Sequence, residues 1–151
     1  MRLALFQPDI PGNVGAIIRT CACLGVGLDL IEPLGFPWDD RRVRRSAMDY
    51  YDRVALVRHP DWVTFRRARP GRLVLLAARG SVPITEAGFA SDDTLVMGSE
   101  SAGAPPHVHA AAALRVRIPI APGLRSLNVS VAAGIALHEA LRQLEALRQL
   151  P

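Results

Sequence analysis

The chain has 151 residues, of which 50% are hydrophobic, so it can bury one core but leaves no second core for another domain. No apolar run comes near the ~18 residues that a membrane helix requires, and no targeting pattern precedes the first strand pattern. Cys21 and Cys23 lie two residues apart in a helical pattern, so their side chains point to nearly opposite faces of the helix and cannot form a disulfide. We therefore predict that both are reduced thiols in the cytosol. We therefore predict a soluble, cytoplasmic protein with a single domain over residues 1–151, and we exclude an integral membrane protein.

The basic residues are unevenly distributed along the chain. All 18 are arginines, the formal net charge is +4, and residues 41–72 hold ten arginines against three aspartates. Such a patch predicts phosphate recognition, because the guanidinium fork matches phosphate oxygens. A solvated helix face in a chain that uses arginine in place of lysine explains the composition equally well. The lack of lysine excludes a phosphate-loop NTPase, which needs a lysine at the nucleotide.

Short apolar runs alternate with helical patterns from end to end. Strands are predicted at Leu3–Phe6, Gly27–Ile31, Arg53–Val57, Leu73–Ala77, Thr94–Met97 and Leu114–Ile118. Several of these runs contain only Val, Leu, Ile and Ala without polar alternation, which is typical of parallel strands that are covered on both faces. The pattern predicts an α/β domain with a mostly parallel sheet and helices on both faces.

The helical patterns differ in strength. The first predicted helix runs from Asn13 to Leu24, with Asn13 as N-cap and Gly25 as terminator. Shorter helices are predicted near residues 41–47, 61–68 and 105–112. The last helix follows a second asparagine cap, Asn128, and carries a broad apolar stripe. That stripe fits packing on a partner subunit and packing on its own sheet equally well.

Three Gly- and Pro-rich loops carry isolated polar residues and follow predicted strands. In an open parallel sheet, loops at the carboxyl ends of strands form the ligand crevice. The segment at residues 7–19 leads into the first predicted helix and carries Arg19 one and a half turns after the cap. The loop at 98–105 holds Glu100, and the loop at 118–128 sets Ser126 beside a helix N-terminus. Each polar residue alone has a structural explanation as a cap or loop anchor. Three such loops in one short chain favour a site.

The strings Q-P-D-I-P-G-N-V-G-A-I-I-R, G-S-E-S-A-G-A-P and I-P-I-A-P-G-L-R-S-L-N-V-S stand in these loops. In order and spacing they resemble the three signature motifs of the SPOUT methyltransferases. The segment I-E-P-L-G-F-P-W-D-D-R-R-V-R-R, followed by M-D-Y, is similar to a stretch of the TrmL-like subfamily, which methylates the wobble ribose of tRNA. The resemblance covers nearly the whole chain. One departure is Ala102, where that subfamily often has arginine.

The resemblance implies a SPOUT/TrmH-like fold with a C-terminal trefoil knot, a homodimer, and S-adenosylmethionine bound in the knot. The implied reaction is 2′-O-methylation of nucleotide 34, a cytidine or uridine, with the tRNA anticodon stem-loop as partner. At the matching positions, the cofactor would be lined by Leu76, Gly98, Ile118 and Ser126. The implied catalytic set is Asn13, Arg19, Glu100, Ser126 and Asn128.

The residue types constrain how such a reaction would proceed. An arginine is effectively never deprotonated in proteins, so we expect Arg19 to hold the phosphate next to the target ribose while that phosphate or a water takes the proton. No metal is predicted, because the histidines are too isolated from other ligand types. The tRNA backbone is expected to contact two arginine groups, namely Arg41, Arg42, Arg44 and Arg45, and Arg66, Arg67 and Arg69.

Other functions fit parts of the pattern. A 2′-O-methyltransferase for another tRNA or rRNA site would share the motifs, and a non-enzymatic nucleotide- or RNA-binding module would share the fold. A nucleotide-dependent oxidoreductase is disfavoured. Gly25-Val-Gly27 begins like a dinucleotide fingerprint, but Leu30 occupies the third glycine position and the segment precedes a strand instead of following one.

Overall fold

The computed structural model describes residues 1–150, except for the side chains of Asp40, Arg42, Arg44, Ser46, Met48, Arg148 and Gln149. Its core is a seven-stranded sheet in the order β3-β2-β1-β6-β4-β7-β5. The strands are β1 Arg2–Phe6, β2 Gly27–Ile31, β3 Leu56–His59, β4 Leu73–Leu76, β5 Val82–Pro83, β6 Thr94–Met97 and β7 Leu114–Arg117. Each neighbouring pair runs parallel, so the carboxyl ends of all strands meet at one edge.

Helices cover both faces of this sheet. They are α1 Pro11–Cys23, α2 Asp40–Ala47, α3 Trp62–Ala68, α4 Pro106–Ala111 and α5 Val129–Gln143, with 3-10 helices at Met48–Arg53, Ile84–Glu86 and Ala146–Gln149. One core cluster joins α1, α2 and α5 to the sheet, and a second joins α3 and α4 to its other face. No helix in residues 1–150 is long and apolar enough to cross a membrane.

The alternation of side chains along β1 explains why both faces need cover. Leu3 and Leu5 belong to the core cluster beneath α1 and α5, whereas Ala4 and Phe6 belong to the cluster beneath α3 and α4. Successive side chains of a strand point to opposite faces, so a continuous apolar run fits only a strand that is buried on both sides. The predicted parallel sheet with helices on both faces is therefore confirmed.

Two edge features differ from the sequence prediction. The third strand begins at Leu56 instead of Arg53, because residues Met48–Arg53 form a 3-10 helix. The apolar residues of this segment predicted a strand but not the residue at which it begins. The pattern is weak because β3 is an edge strand whose middle residues are exposed. The short strand β5 was not predicted, because two residues with a proline carry no strand pattern; proline is tolerated at a sheet edge.

The start of α1 also differs from the prediction. Asn13 is not the N-cap, because the helix begins two residues earlier at Pro11, with Ile10 as a cap that makes no side-chain hydrogen bond. Proline is favoured at the first helical position, where its missing N–H costs nothing. Asn13 is thereby freed for contacts outside the helix. The predicted end of the helix is confirmed, since Gly25 follows it with a φ of 65°.

Both cysteines are free thiols on α1, as predicted. Cys21 is buried in the core, whereas Cys23 is exposed. Burial raises the pKa of Cys21 to about 12, because a thiolate loses its hydration in an apolar environment. The Cys21 thiol therefore stays protonated and acts as a small apolar side chain.

A buried carboxylate joins the strands at one side of the sheet. Asp29 on β2 is fully buried and accepts hydrogen bonds from Arg2 Nε at 2.5 Å and Arg69 Nε at 3.3 Å. Its other oxygen lies 2.7 Å from Nε2 of His59 on β3. Burial by itself raises the pKa of Asp29, but the hydrogen bonds from Arg2, His59 and Arg69 outweigh burial and hold it below its usual value. Two arginines are thus committed to the fold.

The loop that leaves β4 passes directly over β7. A Cβ atom added to Gly80 would lie 2.3 Å from the carbonyl carbon of Val116 and 2.5 Å from its oxygen, so only glycine fits at this crossing. Arg117 Nη1 donates to the carbonyl oxygens of Gly80 and Ser81 at 2.9 and 3.0 Å. The loop is therefore fixed against the strand that it crosses.

Replacing Gly80 with alanine should destabilise the protein by about 1–3 kcal/mol, because the new methyl group has backbone atoms as neighbours and these cannot move aside. The free energy of unfolding in urea measures this change. Gly88→Ala is the matched control, since no atom lies within 4 Å of a Cβ built there. A Gly80→Ala variant as stable as the control would contradict the close crossing.

Candidate active site

The three motif loops converge at the carboxyl edge of the sheet. They leave β1, β6 and β7, and a fourth loop, residues 77–81, leaves β4 between the last two strands. Because all these strands run parallel, their following loops emerge on the same side. The sequence prediction that these loops meet is confirmed by direct hydrogen bonds between them.

The first two loops are joined through Asp9 and Glu100. The backbone N–H of Asp9 donates to Glu100 Oε2 at 2.7 Å. In return, Asp9 Oδ2 accepts from the hydroxyl of Ser101 at 2.6 Å and from its backbone N–H at 2.9 Å. These two hydrogen bonds lower the pKa of the Asp9 carboxyl, because they favour its charged form. The loops after β1 and β6 thus hold each other in place.

Asn13 extends this link to the third loop. Its Nδ2 donates to Glu100 Oε1 at 2.9 Å, and its Oδ1 accepts from Asn128 Nδ2 at 3.0 Å. Asn128 also caps α5, since its Oδ1 accepts from the N–H of Ser130 at 2.9 Å and from the N–H of Val131 at 3.4 Å. The predicted N-cap role of Asn128 is confirmed. The chain Glu100–Asn13–Asn128, which we call the polar chain, fixes the orientation of both amides.

A cavity of about 690 Å³ opens beside the polar chain. Its floor is apolar and includes the buried residues Leu76, Met97 and Val116 at the ends of β4, β6 and β7. The polar chain forms one wall, and the start of α5 forms another. A volume between roughly 300 and 1,000 Å³, with mostly apolar walls and a few placed polar groups, is typical of small-molecule and cofactor sites.

The structure gathers almost all of the residues that the sequence singled out. Eight positions were predicted for the cofactor and catalytic sets, and seven of them line this one cavity, namely Asn13, Leu76, Gly98, Glu100, Ile118, Ser126 and Asn128. Gly98 has an additional structural requirement. A Cβ atom at Gly98 would lie 2.3 Å from the carbonyl carbon of Gly103, where the loop folds back on itself.

Arg19 is the one predicted catalytic residue that does not line the cavity of its own chain. It lies on the exposed face of α1. Its guanidinium carbon is 5.1 Å from the centroid of the Tyr50 ring, a cation–π distance. Within one chain, Arg19 therefore lies outside the set of residues that line the cavity.

The arginine patch divides into committed and exposed members. Arg66 donates to the carbonyl oxygen of Arg69 at 2.7 Å, and Arg69 itself binds Asp29. Arg41 and Arg45 are exposed on α2, whereas the side chains of Arg42 and Arg44 lie outside the described residues. Of the predicted RNA-contacting arginines, Arg66 and Arg69 thus already serve the fold, and Arg41 and Arg45 are accessible to a ligand.

Sequence reasoning missed three charged residues of the site. Asp9 went unassigned although it stands in the first motif loop, and its role depends on Ser101, far away in sequence. Arg79 and Arg125 line the cavity. Arg125 was visible next to Ser126, but Arg79 lies in a loop without a motif and could be found only from the sheet order.

The titratable residues of the described chain include no group of three or more His, Cys, Asp or Glu side chains positioned to hold a metal ion. His109 lines the cavity as a single imidazole. His107 instead packs edge-on against Phe6 and Trp62, with both centroid distances at 5.7 Å.

Replacing Asn13 with alanine should destabilise the protein by about 1–3 kcal/mol, because the two hydrogen bonds that join Asn13 to Glu100 and Asn128 are lost. Urea unfolding measures the change. Thr20→Ala on the same helix is the control, since its hydroxyl bonds only to the carbonyl of Ala16, and its loss should cost less than about 0.5 kcal/mol. Equal stability of the two variants would show that the polar chain does not hold the loops.

The sequence and the fold are similar to known methyltransferases. Residues 1–138 match the SpoU rRNA Methylase family. The chain is 55% identical to a tRNA (cytidine(34)-2'-O)-methyltransferase of Beijerinckia indica, with 98% of this chain and 94% of the relative covered. It is 40% identical to the protein of the same description from Escherichia coli K12, with 95% and 94% covered.

Solved structures agree with the sequence relatives. One that concerns the 2-OH methylation of C/U34 on tRNA gives a TM-score of 0.91 at 41% identity, with 96% of each chain covered. The SpoU methyltransferase AviRb from Streptomyces viridochromogenes, solved in complex with AdoMet, gives a TM-score of 0.83 at 31% identity over 97% of this chain and 58% of that chain. The motif loops, their convergence and these similarities lead to one conclusion: the chain belongs to the SpoU methylase family.

Proposed function

We propose that this chain transfers a methyl group from S-adenosylmethionine to the ribose 2′-hydroxyl of nucleotide 34, a cytidine or uridine, in tRNA. The observation that carries the proposal is the polar chain, which brings three motif loops to one cavity. The position on the RNA is inferred from relatives that cover nearly the full length of this chain and are described as acting on cytidine 34.

The cavity fits S-adenosylmethionine by its chemistry. Its floor of Leu76, Met97 and Val116 suits an adenine ring, and the Glu100 carboxylate offers negative charge towards a sulfonium. Leu76, Gly98, Ile118 and Ser126 are proposed to hold the donor. When bound, S-adenosylmethionine supplies an electrophilic methyl group.

The hydrogen bonds of the polar chain assign different roles to its members. Both oxygens of Glu100 already accept hydrogen bonds, from Asp9 and Asn13, so Glu100 is proposed to position the loops. Asn128 Nδ2 has a second hydrogen beyond the one given to Asn13. Together with the exposed hydroxyl of Ser126, it is proposed to orient the ribose hydroxyl. Such positioning contributes on the order of 7–11 kcal/mol to reactions between two bound groups.

The acceptor of the ribose proton is assigned from the chemistry of Arg19. Arginine stays protonated, so Arg19 is proposed to bind the phosphate beside the target ribose while that phosphate or a water accepts the proton. Because Arg19 does not line its own cavity, we propose that it acts on the cavity of a second copy in a homodimer.

The exposed apolar surface supports a homodimer. Ile10, Leu124, Leu127, Val131 and Ile135 are exposed by 38–68% and lie on the segments that begin α1 and α5, beside the cavity. Exposed apolar side chains that cluster in this way are typical of protein interfaces. A second copy seated on α5 would cover these side chains and complete the active site.

Two further features are proposed together with the function. The crossing of residues 77–81 over β7 and the position of β4 between β6 and β7 support a trefoil knot in the C-terminal half, a rare exception to unknotted connectivity. The anticodon stem-loop is the proposed RNA partner, because unpaired loop nucleotides can be splayed into a pocket. A tRNA substrate also supports a cytoplasmic location.

Incubating the purified protein with bulk tRNA and labelled S-adenosylmethionine should place the label on the ribose of nucleotide 34. Mass mapping of nuclease fragments measures the position. Unmodified rRNA in a parallel reaction is the control, and it should remain unlabelled. Label at another tRNA position or in rRNA would redirect the proposal to that site, and no transfer to either RNA would favour a non-enzymatic RNA-binding module.

Replacing Arg19 with alanine should lower turnover on the order of 100-fold, because the RNA phosphate is no longer held in place. The affinity for S-adenosylmethionine, measured by calorimetry, should stay within a factor of two. Equal loss of donor affinity and turnover would contradict the assignment.

Mixing Arg19→Ala with Ser126→Trp, which fills the cavity, tests whether Arg19 acts across a dimer. After the subunits re-associate, activity should return to about a quarter of wild type, since half of the dimers are mixed and each of these has one intact site. Each variant alone is the control and should stay inactive. An inactive mixture would show that Arg19 serves its own chain.

A further inference from the structure

Two arginines that line the cavity have no partner for their guanidinium groups in the part of the chain that the structure describes. Arg79 lies in the loop after β4 and Arg125 in the loop after β7, and both line the cavity. Within residues 1–150, neither guanidinium takes part in a hydrogen bond, an ion pair or a ring contact. Arg2, Arg69 and Arg72, in contrast, bind the buried carboxylates Asp29 and Asp93. We call Arg79 and Arg125 the rim arginines.

The backbone that presents Arg79 is rigid although its side chain is exposed. The next residue, Gly80, lies against Val116 with no space for a Cβ atom, and Gly80 N–H donates to the carbonyl of Ala77 at 2.9 Å. Arg117 binds the two carbonyl oxygens that follow Arg79. A fixed backbone lowers the entropy that a bound ligand must overcome, so the loop is preorganised to offer one cation to the cavity.

Arg125 immediately precedes Ser126 and stands one turn before α5. The 15-residue helix α5 begins at Val129, and Asn128, Val129 and Ala132 line the same cavity. The N-terminus of a helix carries partial positive charge. The guanidinium of Arg125 and this helix end therefore favour the same kind of ligand, an anion, on one side of the cavity.

The charges around the cavity leave an excess of positive charge. Glu100 is the one carboxylate among the lining residues in the described chain, and it is already hydrogen-bonded to Asp9 and Asn13. S-adenosylmethionine carries one carboxylate, an ammonium and a sulfonium, so it brings net positive charge itself. The donor therefore cannot neutralise the charge of two guanidinium groups. Two phosphodiesters, one on each side of the target ribose, can neutralise both charges.

We propose that the rim arginines bind the phosphates that flank the target ribose, on the chain that binds the methyl donor. The proposal rests on the proposed function, since it takes RNA as the ligand. A ribose 2′-hydroxyl lies on the carbon next to the one that bears the 3′-phosphate. A group that orients this hydroxyl, as Ser126 is proposed to do, therefore has the phosphate as a neighbour, within reach of Arg125. Arg79, in the loop after β4, takes the second phosphate, and Arg19 of the second copy in the proposed homodimer contacts one of the same two phosphates.

The test compares Arg79→Gln, Arg125→Gln and the double variant with wild type. Anisotropy of a labelled tRNA at several salt concentrations measures RNA affinity, and calorimetry measures the affinity for S-adenosylmethionine. Each single variant should bind tRNA about tenfold more weakly and lower the slope of log affinity against log salt by about 0.7. Donor affinity should stay within a factor of two. Arg125→Lys should recover part of the lost RNA affinity, because the charge is kept.

Arg115→Gln is the control, since Arg115 is also exposed and its guanidinium has no partner within residues 1–150, but it does not line the cavity. It should leave RNA affinity, donor affinity and transfer unchanged. Thermal midpoints of all variants should match wild type, because within residues 1–150 the replaced guanidinium groups make no hydrogen bond, ion pair or ring contact. RNA affinity equal to that of wild type in both rim variants would overturn the proposal.

The carboxylate of the donor is a second source of an anion, and a third ligand, decarboxylated S-adenosylmethionine, separates it from the RNA phosphate. If the rim arginines held that carboxylate, wild type would bind decarboxylated S-adenosylmethionine more weakly than S-adenosylmethionine, and the double variant would not distinguish them. That result would overturn the phosphate assignment.

Methyl transfer to RNA by wild type is measured in parallel. If wild type methylates no RNA, the proposed function is refuted. The tRNA and S-adenosylmethionine binding assays still show whether the rim arginines bind RNA.

Discussion

Glu100 and Asn13 are joined by a hydrogen bond of 2.9 Å across 87 residues of sequence, and the rest of the site depends on this contact. The carboxylate fixes the loop after β1 through Asp9 and Asn13, and Asn13 in turn fixes the loop after β7 through Asn128. Buried polar groups must keep their partners, since an orphaned one costs about 1–3 kcal/mol. These hydrogen bonds join the three loops without any ligand in the cavity.

The need of buried carboxylates for partners also divides the arginines into those that stabilise the fold and those that can bind a ligand. Asp29 and Asp93 are buried carboxylates that require compensation, and they engage Arg2, Arg69 and Arg72. Arginines near the cavity have no such carboxylate, because Glu100 is satisfied by amide and backbone donors. The rim arginines thus keep their positive charge where the RNA backbone is proposed to bind. The arginines beside Asp29 and Asp93 are neutralised by these carboxylates. Net charge alone does not reveal this division.

A single chain also leaves an incomplete surface around its cavity. Among the exposed apolar side chains, Ile10 and Leu127 line the cavity, whereas Arg19 on α1 does not line it and lies 5.1 Å from the Tyr50 ring. The proposed homodimer explains both the exposed apolar side chains and the position of Arg19, because one interface would cover the first and bring the second to the partner's cavity. The cavity, the apolar surface and Arg19 would then be parts of one composite site, in which one chain binds the donor with its rim arginines beside it and the second copy adds Arg19.

The sequence by itself determined the fold class, the central strands and the three motif loops, because apolar runs and Gly/Pro-rich strings are local features. It also gave the correct cap at Asn128 and terminator at Gly25. Only the tertiary structure decided that Asn13 is no cap, that Arg79 lines the cavity and that Arg19 does not. These outcomes depend on strand order and on partners far away in sequence. A side chain's role follows from which groups the fold brings within hydrogen-bond distance, and local pattern carries no record of that.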